Sequence, residues 1–304
     1  DTLHAMRKTP EILRVEFKPP SEERLEVEVM SIDELRQRAP ADHFASLQRA
    51  DFYRLFGVKG GHTRPMVDFS PYLLQARDWL LVRPGQVMRY DFSRPWTGWL
   101  AVFRPDSFFG GPRGTRTGEL DLLRRVEDLA CLSSVDAAQD RWMDYSLRQM
   151  RHDGSLPVDV PVRNEMLRLQ LAGTLLRLSV WQTLGSPALR ADSGALAHFR
   201  RFRQKLEADF ADHHQVRHYA NALGISEKVL GRACQAGAGL SAKACISRRL
   251  ALEAKRLLAH TVLQVQSVAH DLGFDEATNF VKFFRKEAGM TPLAFRLAQT
   301  RTGA

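Results

Sequence analysis

Apolar positions in the carboxyl-terminal third of the chain recur at helical spacing. In VQSVAHDLGF, apolar residues fall at i, i+3, i+4 and i+7 from Val265, which predicts an amphipathic helix that ends before Gly273. In DEATNFVKFFRKEAGMTP, three phenylalanines fall at i, i+3 and i+4 from Phe280 and predict a second helix. Asp275 is its expected N-cap and Gly289 its expected end. A helix, a tight glycine turn and a helix with a polar, basic face indicate a helix-turn-helix unit.

The same pattern occurs earlier in the chain. In VRHYANALGISEKVLGRACQAGAGLS, the four apolar spacings repeat from Val216, and Gly224 matches Gly273 at a separation of 49 residues. Beyond the turn the separation is 50, as for Leu230 and Phe280, so the second turn holds one inserted residue. The further matches are Arg232 with Lys282, Gly239 with Gly289 and Ser241 with Thr291. A duplicated motif is stronger evidence than a single copy, and ACISRRLALEAKRLLAHT predicts a long helix that joins the two.

Residues from about 198 to 296 resemble the DNA-binding domain of AraC/XylS-type transcription regulators. The segments that carry the resemblance are LEAKRLLAHT, VAHDLGF, NFVKFFRKEAGMTP and the terminal AFR. The resemblance implies seven helices with two helix-turn-helix units, each of which places one recognition helix in a major groove. Two such grooves on one face of DNA lie about 34 Å apart, so the joining helix would set the separation of the units.

The distribution of charge agrees with a polyanion-binding domain. Residues 196–304 hold 17 Lys and Arg against 9 Asp and Glu, a net charge of +8. The whole chain carries +9, which leaves +1 for the first 195 residues. A solvated basic surface would explain the charge itself, but not its segregation beside a duplicated motif.

The resemblance also assigns the residues that would contact DNA. The base-reading positions are Glu227, Lys228, Gly231, Arg232 and Gln235 in the first unit, and Ala277, Thr278, Asn279 and Lys282 in the second. The expected contacts to the DNA backbone are Ser226, Ser267, Arg285, Lys286 and Thr291. Arg232 suits guanine, Asn279 suits adenine, and Lys282 suits a guanine or a phosphate.

The first unit departs from the family pattern. Cys234 stands where a large aromatic residue is usual, and Ala242 stands where a proline is usual. The segment GRACQAGAG holds three glycines, which weaken a helix. We therefore predict a smaller and less rigid core in the first unit than in the second.

The front of the chain has the punctuation of β-structure. ADFYRLFGVKGG, DWLLVRPGQVMRYDF and GWLAVF are rich in aromatic and β-favouring residues, divided by Gly-Gly and Pro-Gly pairs. Within and beside them, DFYRLFGVKGG, LLVRPGQVMRY and GWLAVFRPD resemble the cupin-like sensor domain of the same regulators. The predicted fold is α+β with two domains: a cupin-like β-barrel or jelly roll with dimerisation helices over 1–184, and an all-α domain over 196–304. LGSPALRADSGAL predicts a linker over 185–195.

Helical patterns follow the predicted strands, over about 118–133, 136–152 and 161–184. The last one carries two apolar stripes: Leu167, Leu171, Thr174 and Leu178 form one, and Leu169, Ala172, Leu176 and Val180 form the other. One stripe can pack on the barrel, which frees the other to meet a second subunit, as the dimer helices of the family do. The alternative is that both stripes are buried within one chain.

Strand alternation in the front domain predicts a ligand pocket. In the register that the resemblance sets, the residues that face the barrel interior are Phe52, Arg54, Phe56, Met88, Tyr90 and Leu100. An interior Arg54 needs an anion such as a ligand carboxylate, with Tyr90 as a hydrogen-bond partner and Phe52 as a stacking wall. A register error of one residue would instead put Tyr53 and Leu55 inside and Arg54 in water.

Metal-dependent catalysis has little support in the sequence. Enzymatic cupins hold a metal with a His-x-His pair, but Gln48 and Ala50 stand at those positions, Met88 stands near the later strand, and His62 is alone. We therefore predict no enzyme activity and no cofactor. Two rival hypotheses are a cupin enzyme fused to a DNA-anchoring domain and a regulator whose front domain binds another protein.

A second group of potential metal ligands lies in DHHQVRH, with His213, His214 and His218. No cysteine or acidic ligand is placed to join these histidines, which favours a solvated loop.

Cys131, Cys234 and Cys245 lack metal-type spacing and indicate reduced thiols. No apolar run of about 18 residues predicts a membrane span. The expected partners are a double-stranded DNA operator, a small effector, RNA polymerase and a second copy of the chain, in the cytoplasm.

Overall fold

The computed structural model describes residues 13–15, 25–38, 41–104, 125–126, 128–185 and 193–301. The chain divides into two compact units, and the division falls between Gly185 and Ser186. The amino-terminal unit is rich in β-strands and the carboxyl-terminal unit is helical, which confirms the predicted α+β class with two domains. None of the helices in these ranges is long and apolar enough to cross a lipid bilayer.

In its described residues, the amino-terminal unit contains two sheets. The larger sheet consists of β2 (Val27–Ser31), β4 (Tyr53–Thr63), β8 (Asp78–Val82), β10 (Trp96–Phe103) and β11 (Leu132–Ser134). The smaller sheet consists of β1 (Leu13–Val15), β3 (Gln48–Ala50), β5 (Met66–Val67), β6 (Ser70–Pro71) and β9 (Val87–Arg89), while β7 (Leu74–Gln75) pairs with β4. The strand orders are β11-β8-β4-β10-β2 and β1-β3-β9-β5-β6.

Strand β4 lies at the centre of the larger sheet, between the antiparallel strands β8 and β10. On one face, Tyr53 and Leu55 belong to a core cluster that includes helical residues. On the other face, Phe56 belongs to a second cluster that includes Met88 of the smaller sheet. Because successive side chains of a strand point to opposite faces, Arg54 faces the space between the two sheets.

The helices with printed bounds beside the sheets, within the described residues, are α1 (Ile32–Arg38), α2 (Ala41–Ala45), α3 (Ala137–Asp153) and α4 (Val160–Gly185). A capping box between Asp136 and Gln139 starts α3. Met143 of α3 and Leu171 of α4 are fully buried in the cluster beneath the larger sheet. The bounds of both helices lie within one residue of the predicted 136–152 and 161–184.

The predicted helix over 118–133 is wrong at its end. Residues 132–133 belong to β11, which pairs with Leu80 and Trp79 of β8. Pairing with a neighbouring strand decides the backbone conformation here, and local apolar spacing does not report that pairing. Residues 118–124 and 127 lie outside the described residues.

The carboxyl-terminal unit contains seven helices in the described residues. They are α5 (Ser193–Asp209), α6 (Val216–Ala222), α7 (Glu227–Ala238), α8 (Ala242–His260), α9 (Val265–Asp271), α10 (Ala277–Ala288) and α11 (Pro292–Arg301). Helices α6 and α7 form the first helix-turn-helix unit, α9 and α10 form the second, and α8 joins them. Helix α5 begins inside the predicted linker over 185–195, of which residues 186–192 lie outside the described residues.

Candidate nucleic-acid interface and ligand cavity

The two helix-turn-helix units share one turn geometry. Gly224 and Gly273 follow the first helix of each unit in the left-handed conformation, with φ of 67° and 71°. In each turn the next N–H donates to the carbonyl oxygen five residues back, at 3.0 Å in both units, as from Ile225 to Ala220. This bond with a left-handed glycine is the Schellman motif, which satisfies carbonyls at the helix end. The duplicated turn that the sequence predicts is confirmed.

The recognition helices α7 and α10 start differently. Ser226 caps α7 by accepting a hydrogen bond from the N–H of Val229 at 3.3 Å, whereas Glu276, the N-cap of α10, makes no side-chain cap bond. The prediction that Asp275 caps α10 is wrong, because the residue inserted in the second turn moves the start of the helix one position further. Gly289 follows α10 with φ of 75°, as predicted.

Helix α10 is held by its phenylalanines. Phe280 and Phe284 are 0% exposed, and the ring centroids of Phe274 and Phe280 lie 5.4 Å apart. Phe284 continues the contacts to Phe295 of α11, at 5.6 Å between centroids. With this face buried, the polar face of α10 points to solvent.

The predicted DNA-contacting residues lie at the surface. Gly231 and Ala277 are half-buried and the others are exposed. The exposed residues are Ser226, Glu227, Lys228, Arg232, Gln235, Ser267, Thr278, Asn279, Lys282, Arg285, Lys286 and Thr291. Within the described part of the chain, the cations of α7 and α10 form no ion pair with protein groups. Basic side chains without a protein partner are available to neutralise phosphates.

Two of the hydroxyl groups that we predict to contact the DNA backbone also serve as helix caps within the protein. Thr291 accepts a hydrogen bond from the N–H of Ala294 at 3.2 Å at the start of α11, and Ser226 caps α7. Ser241, the counterpart of Thr291 in the first unit, caps α8 in the same way. Because a hydroxyl that accepts a hydrogen bond still carries a hydrogen, these caps leave a donor for a phosphate oxygen.

The glycine-rich segment of the first unit is helical as far as Ala238, because neighbouring helices support it, and Gly239 ends the helix in the left-handed conformation. Phe199 of α5 lies against Gly237, where an added Cβ would come within 2.0 Å of the ring. Cys234 is 0% exposed and packs in one cluster with Phe202 of α5 and Ile246 of α8. Small residues in α7 thus allow α5 to approach closely, so close packing offsets the low helix propensity of glycine.

Two arginines that the sequence analysis did not single out fasten α8 to its neighbours. Arg249 pairs with Glu207 of α5 at 2.8 Å and with Glu253 at 3.1 Å. Arg296 of α11 donates to the carbonyl oxygen of Leu258 in α8 at 3.1 Å and to that of Leu263, just beyond α8, at 2.6 Å. Apart from the Arg249–Glu253 pair within α8, these contacts join residues more than thirty positions apart in the sequence. Local sequence patterns therefore do not predict them.

Arg54 lies in the interior of the amino-terminal unit and is 2% exposed. Its Nη1 contacts the sulfur of Met88 at 3.6 Å, and its guanidinium lies 5.1 Å from the ring centroid of Phe52 and 5.8 Å from that of Tyr90. Its Nη2 is buried and has no hydrogen-bond partner in the structure. The alternative register with Arg54 in water is therefore wrong. A buried guanidinium without a carboxylate is costly, and an anion would satisfy it.

The other predicted pocket residues surround the same interior. Phe52, Phe56, Met88, Tyr90 and Leu100 are all buried and belong to one cluster. Burial raises the pKa of Tyr90, so its hydroxyl stays protonated at neutral pH and can donate a hydrogen bond.

A cavity of about 400 Å³ opens beside this cluster, and its lining residues are Arg36, Phe44, Phe92, Ser93, Arg94 and Pro95. Arg36 lies 4.8 Å from the ring centroid of Phe92, and its Nη2 is buried without a hydrogen-bond partner. The ring of Phe44 contacts that of Tyr90 at 5.2 Å, which connects the cavity wall with the surroundings of Arg54. The six lining residues include two cations and no acid, although Arg36 also pairs through Nη1 with the carboxylate of Asp33 at 3.5 Å. This lining suits an anion with an apolar body. Sequence periodicity missed Arg36 because its helix is short, and Arg94 because it lies outside any regular element.

The positions of the expected His-x-His pair have packing roles. Gln48 is 2% exposed and its amide donates to the carbonyl oxygen of His43 at 2.9 Å. Ala50 is buried in the interior cluster. His62 is exposed, with its Nε2 3.1 Å from Nη1 of Arg94.

Curated relatives match part of this chain. It is similar to the transcriptional activator RhaS of Escherichia coli O1:K1 / APEC, with 27% identity over 158 residues, which are 52% of this chain and 53% of RhaS. It is also similar to the activator RhaR of the same strain, with 27% identity over 165 residues, 54% of this chain and 56% of RhaR. The chain thus spans about half the length of the curated relatives it matches.

Solved structures also align with the chain. ToxT of Vibrio cholerae O395 covers 82% of this chain and 90% of its own, with 11% identity and a TM-score of 0.42. The carboxyl-terminal domain of the response regulator yesN from Fusobacterium nucleatum covers 31% of this chain and 93% of its own, with 22% identity and a TM-score of 0.30.

A family of helix-turn-helix domains matches residues 219–298. That range contains both turns, both recognition helices and the joining helix α8. The carboxyl-terminal unit of this chain is therefore a helix-turn-helix domain of the AraC type.

Proposed function

We propose that the protein is a sequence-specific regulator of transcription that binds double-stranded DNA, acts as an activator and responds to a small acidic or aromatic effector. The observation that carries the proposal is the pair of helix-turn-helix units with exposed polar residues on α7 and α10. RhaS and RhaR, which are similar over about half of their length, are named activators. RNA polymerase is the partner that such an activator requires.

The exposed side chains divide into those that suit contacts to bases and those that suit contacts to phosphates. Arg232 suits the O6 and N7 acceptors of guanine, and Asn279 suits the acceptor and donor pair of adenine. Lys282 suits a guanine or a phosphate. Arg285 and Lys286 lie in the last turn of α10 and suit phosphates, which position the protein without reading sequence.

Selection of binding sites from random duplex DNA tests the proposal with the full chain. We expect two preferred blocks of bases whose centres lie about 10–10.5 base pairs apart, because α8 holds two recognition helices at a fixed separation. Affinity should fall steeply with salt, since the contacts release counterions. A single preferred block, or no enrichment, would contradict two reading units.

We infer that the effector binds in the amino-terminal unit, between Arg54 and the cavity at Arg36 and Arg94. Support comes from the buried Nη2 atoms of Arg36 and Arg54, neither of which has a protein partner. A thermal-shift screen of aromatic acids, fatty acids and sugars tests the chemical class. We expect acids, and not sugars, to raise the Tm. If no acid does so, a protein partner for the front domain becomes the better hypothesis.

The proposed assembly is a homodimer formed through α4. Its exposed apolar side chains are Val162, Leu169, Leu176, Val180 and Leu184. Leu167 and Leu171, on the other stripe, are buried in the core. Three of the exposed residues recur every seven positions, which is the spacing of a coiled-coil seam. A second copy of the same helix would cover this face.

A further inference from the structure

Asp209, His213 and His218 bring three metal-ligating side chains together at the edge of the first helix-turn-helix unit. Their ligand atoms, one carboxylate oxygen and two imidazole nitrogens, all lie within 4.8 Å of one another. Asp209 ends α5, His218 lies in α6, and His213 lies in the segment between them. The cluster therefore spans the connection from α5 to the first unit.

The side chains converge on one volume. Nε2 of His218 lies 2.6 Å from Oδ2 of Asp209, and the rings of His213 and His218 stack with centroids 3.6 Å apart. Tetrahedral zinc with ligand distances of about 2.0–2.2 Å places its ligand atoms roughly 3.3 Å from one another. The three ligand atoms reach that geometry with shifts on the order of 1 Å, which side-chain rotation supplies.

The backbone of the cluster is fixed before any ion binds. Tyr219 is 0% exposed and its hydroxyl donates to the carbonyl oxygen of His213 at 2.7 Å. The N–H of His213 donates to the carbonyl oxygen of Asp209 at 3.0 Å. The ring of His218 packs edge-on against Tyr219, at 5.1 Å between centroids. A ligand set held in this way loses little conformational freedom when it binds an ion.

We propose that Asp209, His213 and His218 bind a zinc ion that fastens α5 to α6 and stabilises the first helix-turn-helix unit. Imidazole and carboxylate groups suit zinc, and three protein ligands leave a fourth position for water. The sequence favoured a solvated loop because its histidines had no acidic ligand placed to join them. The fold supplies that ligand from the end of α5.

Lys205 competes for the same carboxylate. Its ammonium lies 2.9 Å from Oδ2 of Asp209, so an incoming cation displaces this ion pair or shares the carboxylate with it. Removal of the ammonium should therefore strengthen zinc binding, whereas removal of a histidine should weaken it. Opposite responses of two neighbouring residues distinguish a metal site from nonspecific binding to surface histidines.

Calorimetric titration of the metal-free full chain with zinc chloride tests the proposal. We expect His213→Ala and His218→Ala each to lower the zinc affinity at least about tenfold. Loss of a group that only hydrogen-bonds to a metal ligand already costs about that much, and here a ligand itself is lost. Lys205→Met should raise the affinity. His270→Ala is the matched control, because His270 lies in the same carboxyl-terminal unit, outside the cluster, and its side chain is 91% exposed.

Thermal melts provide a second readout. Zinc should raise the Tm of the wild-type chain, because an ion that binds only the folded state stabilises it, and His213→Ala should abolish the rise. His213 is exposed, so its replacement leaves the fold intact even if His218→Ala does not. Absence of zinc binding, or wild-type affinity in His213→Ala, would overturn the proposal. Neither measurement uses DNA, so the metal site stands or falls independently of the proposed regulator.

Discussion

At the scale of single residues, helix α10 has a buried face that packs and an exposed face that the proposed DNA binding would use. Phe280 is fully buried, and its neighbour Asn279 is exposed. A cavity at Phe280 would lower the free energy of unfolding, whereas truncation of Asn279 would remove the proposed contact to a base. Substitutions one residue apart should therefore give effects of different kinds.

Phe280→Ala should lower the free energy of unfolding by about 3–5 kcal/mol, because it leaves a cavity among packed aromatic rings. Urea denaturation of the full chain measures this loss. Any loss of DNA binding should follow the unfolded fraction and affect all DNA sequences equally. A loss below about 1 kcal/mol would show that the neighbouring rings collapse into the space.

Asn279→Ala should leave the free energy of unfolding unchanged and cost about 1–3 kcal/mol of specific DNA binding, with relaxed preference at one base pair. Lys286→Ala is the matched comparison, because it should weaken binding to all sequences alike and lower the salt slope by about one unit. Titrations against variant operators at several salt concentrations separate the two. If neither variant changes affinity, base preference or salt slope, α10 does not enter the groove.

The spacing of Phe280 and Phe284 predicts which face of α10 is buried, because helical periodicity is local. Arg36 and Arg94 could not be found in this way. They line one cavity although 58 positions separate them, and only the packing of α1 and α2 beside the strands brings them together. The interior position of Arg54 follows from strand alternation once a register is chosen, but the choice of register came from the resemblance.

At the scale of elements, the two turns have the same backbone but different surroundings. Gly224 and Gly273 both have positive φ. A Cβ at Gly224 would meet no atom within 4 Å, whereas a Cβ at Gly273 would lie 2.1 Å from the carbonyl oxygen of Ala211. The sequence predicts both turns as glycine turns and cannot distinguish them, because Ala211 is distant along the chain.

Gly224→Ala should cost about 1–2 kcal/mol of stability, the strain of a left-handed residue with a side chain. Gly273→Ala should cost clearly more, because the backbone at Ala211 has to move as well. Urea denaturation of both variants measures the difference. Equal losses would show that the segment at Ala211 gives way without cost.

At the scale of the whole molecule, the exposed face of α4 should control association. Leu176→Glu places a charge in the apolar seam and should convert dimers to monomers at micromolar concentration. Its thermal stability should change little, because Leu176 is 41% exposed in a single chain. Leu73→Glu, at a leucine of the same unit that is 63% exposed, is the control and should stay dimeric. A wild-type chain that sediments as a monomer would contradict the proposed dimer.

Binding of an acidic effector to Arg54 should stabilise the whole molecule. Arg54→Met tests this, because it should leave unchanged or raise the Tm of the free protein but abolish the rise in Tm that acids produce. The guanidinium is buried with an unsatisfied Nη2, so an apolar side chain of similar length should leave the Tm of the free protein unchanged or raise it. The same change should abolish the Tm shift produced by acidic effectors, with a loss of about 2–5 kcal/mol of binding free energy.

The control is Arg89→Ala, at a half-buried arginine beside Tyr90, which should keep the Tm shift produced by acids. Because Arg54→Met lies outside the helix-turn-helix units, its DNA affinity without effector should match that of the wild type. If Arg54→Met lowers the Tm by several degrees and retains the response to acids, the guanidinium serves the fold and the anion binds elsewhere.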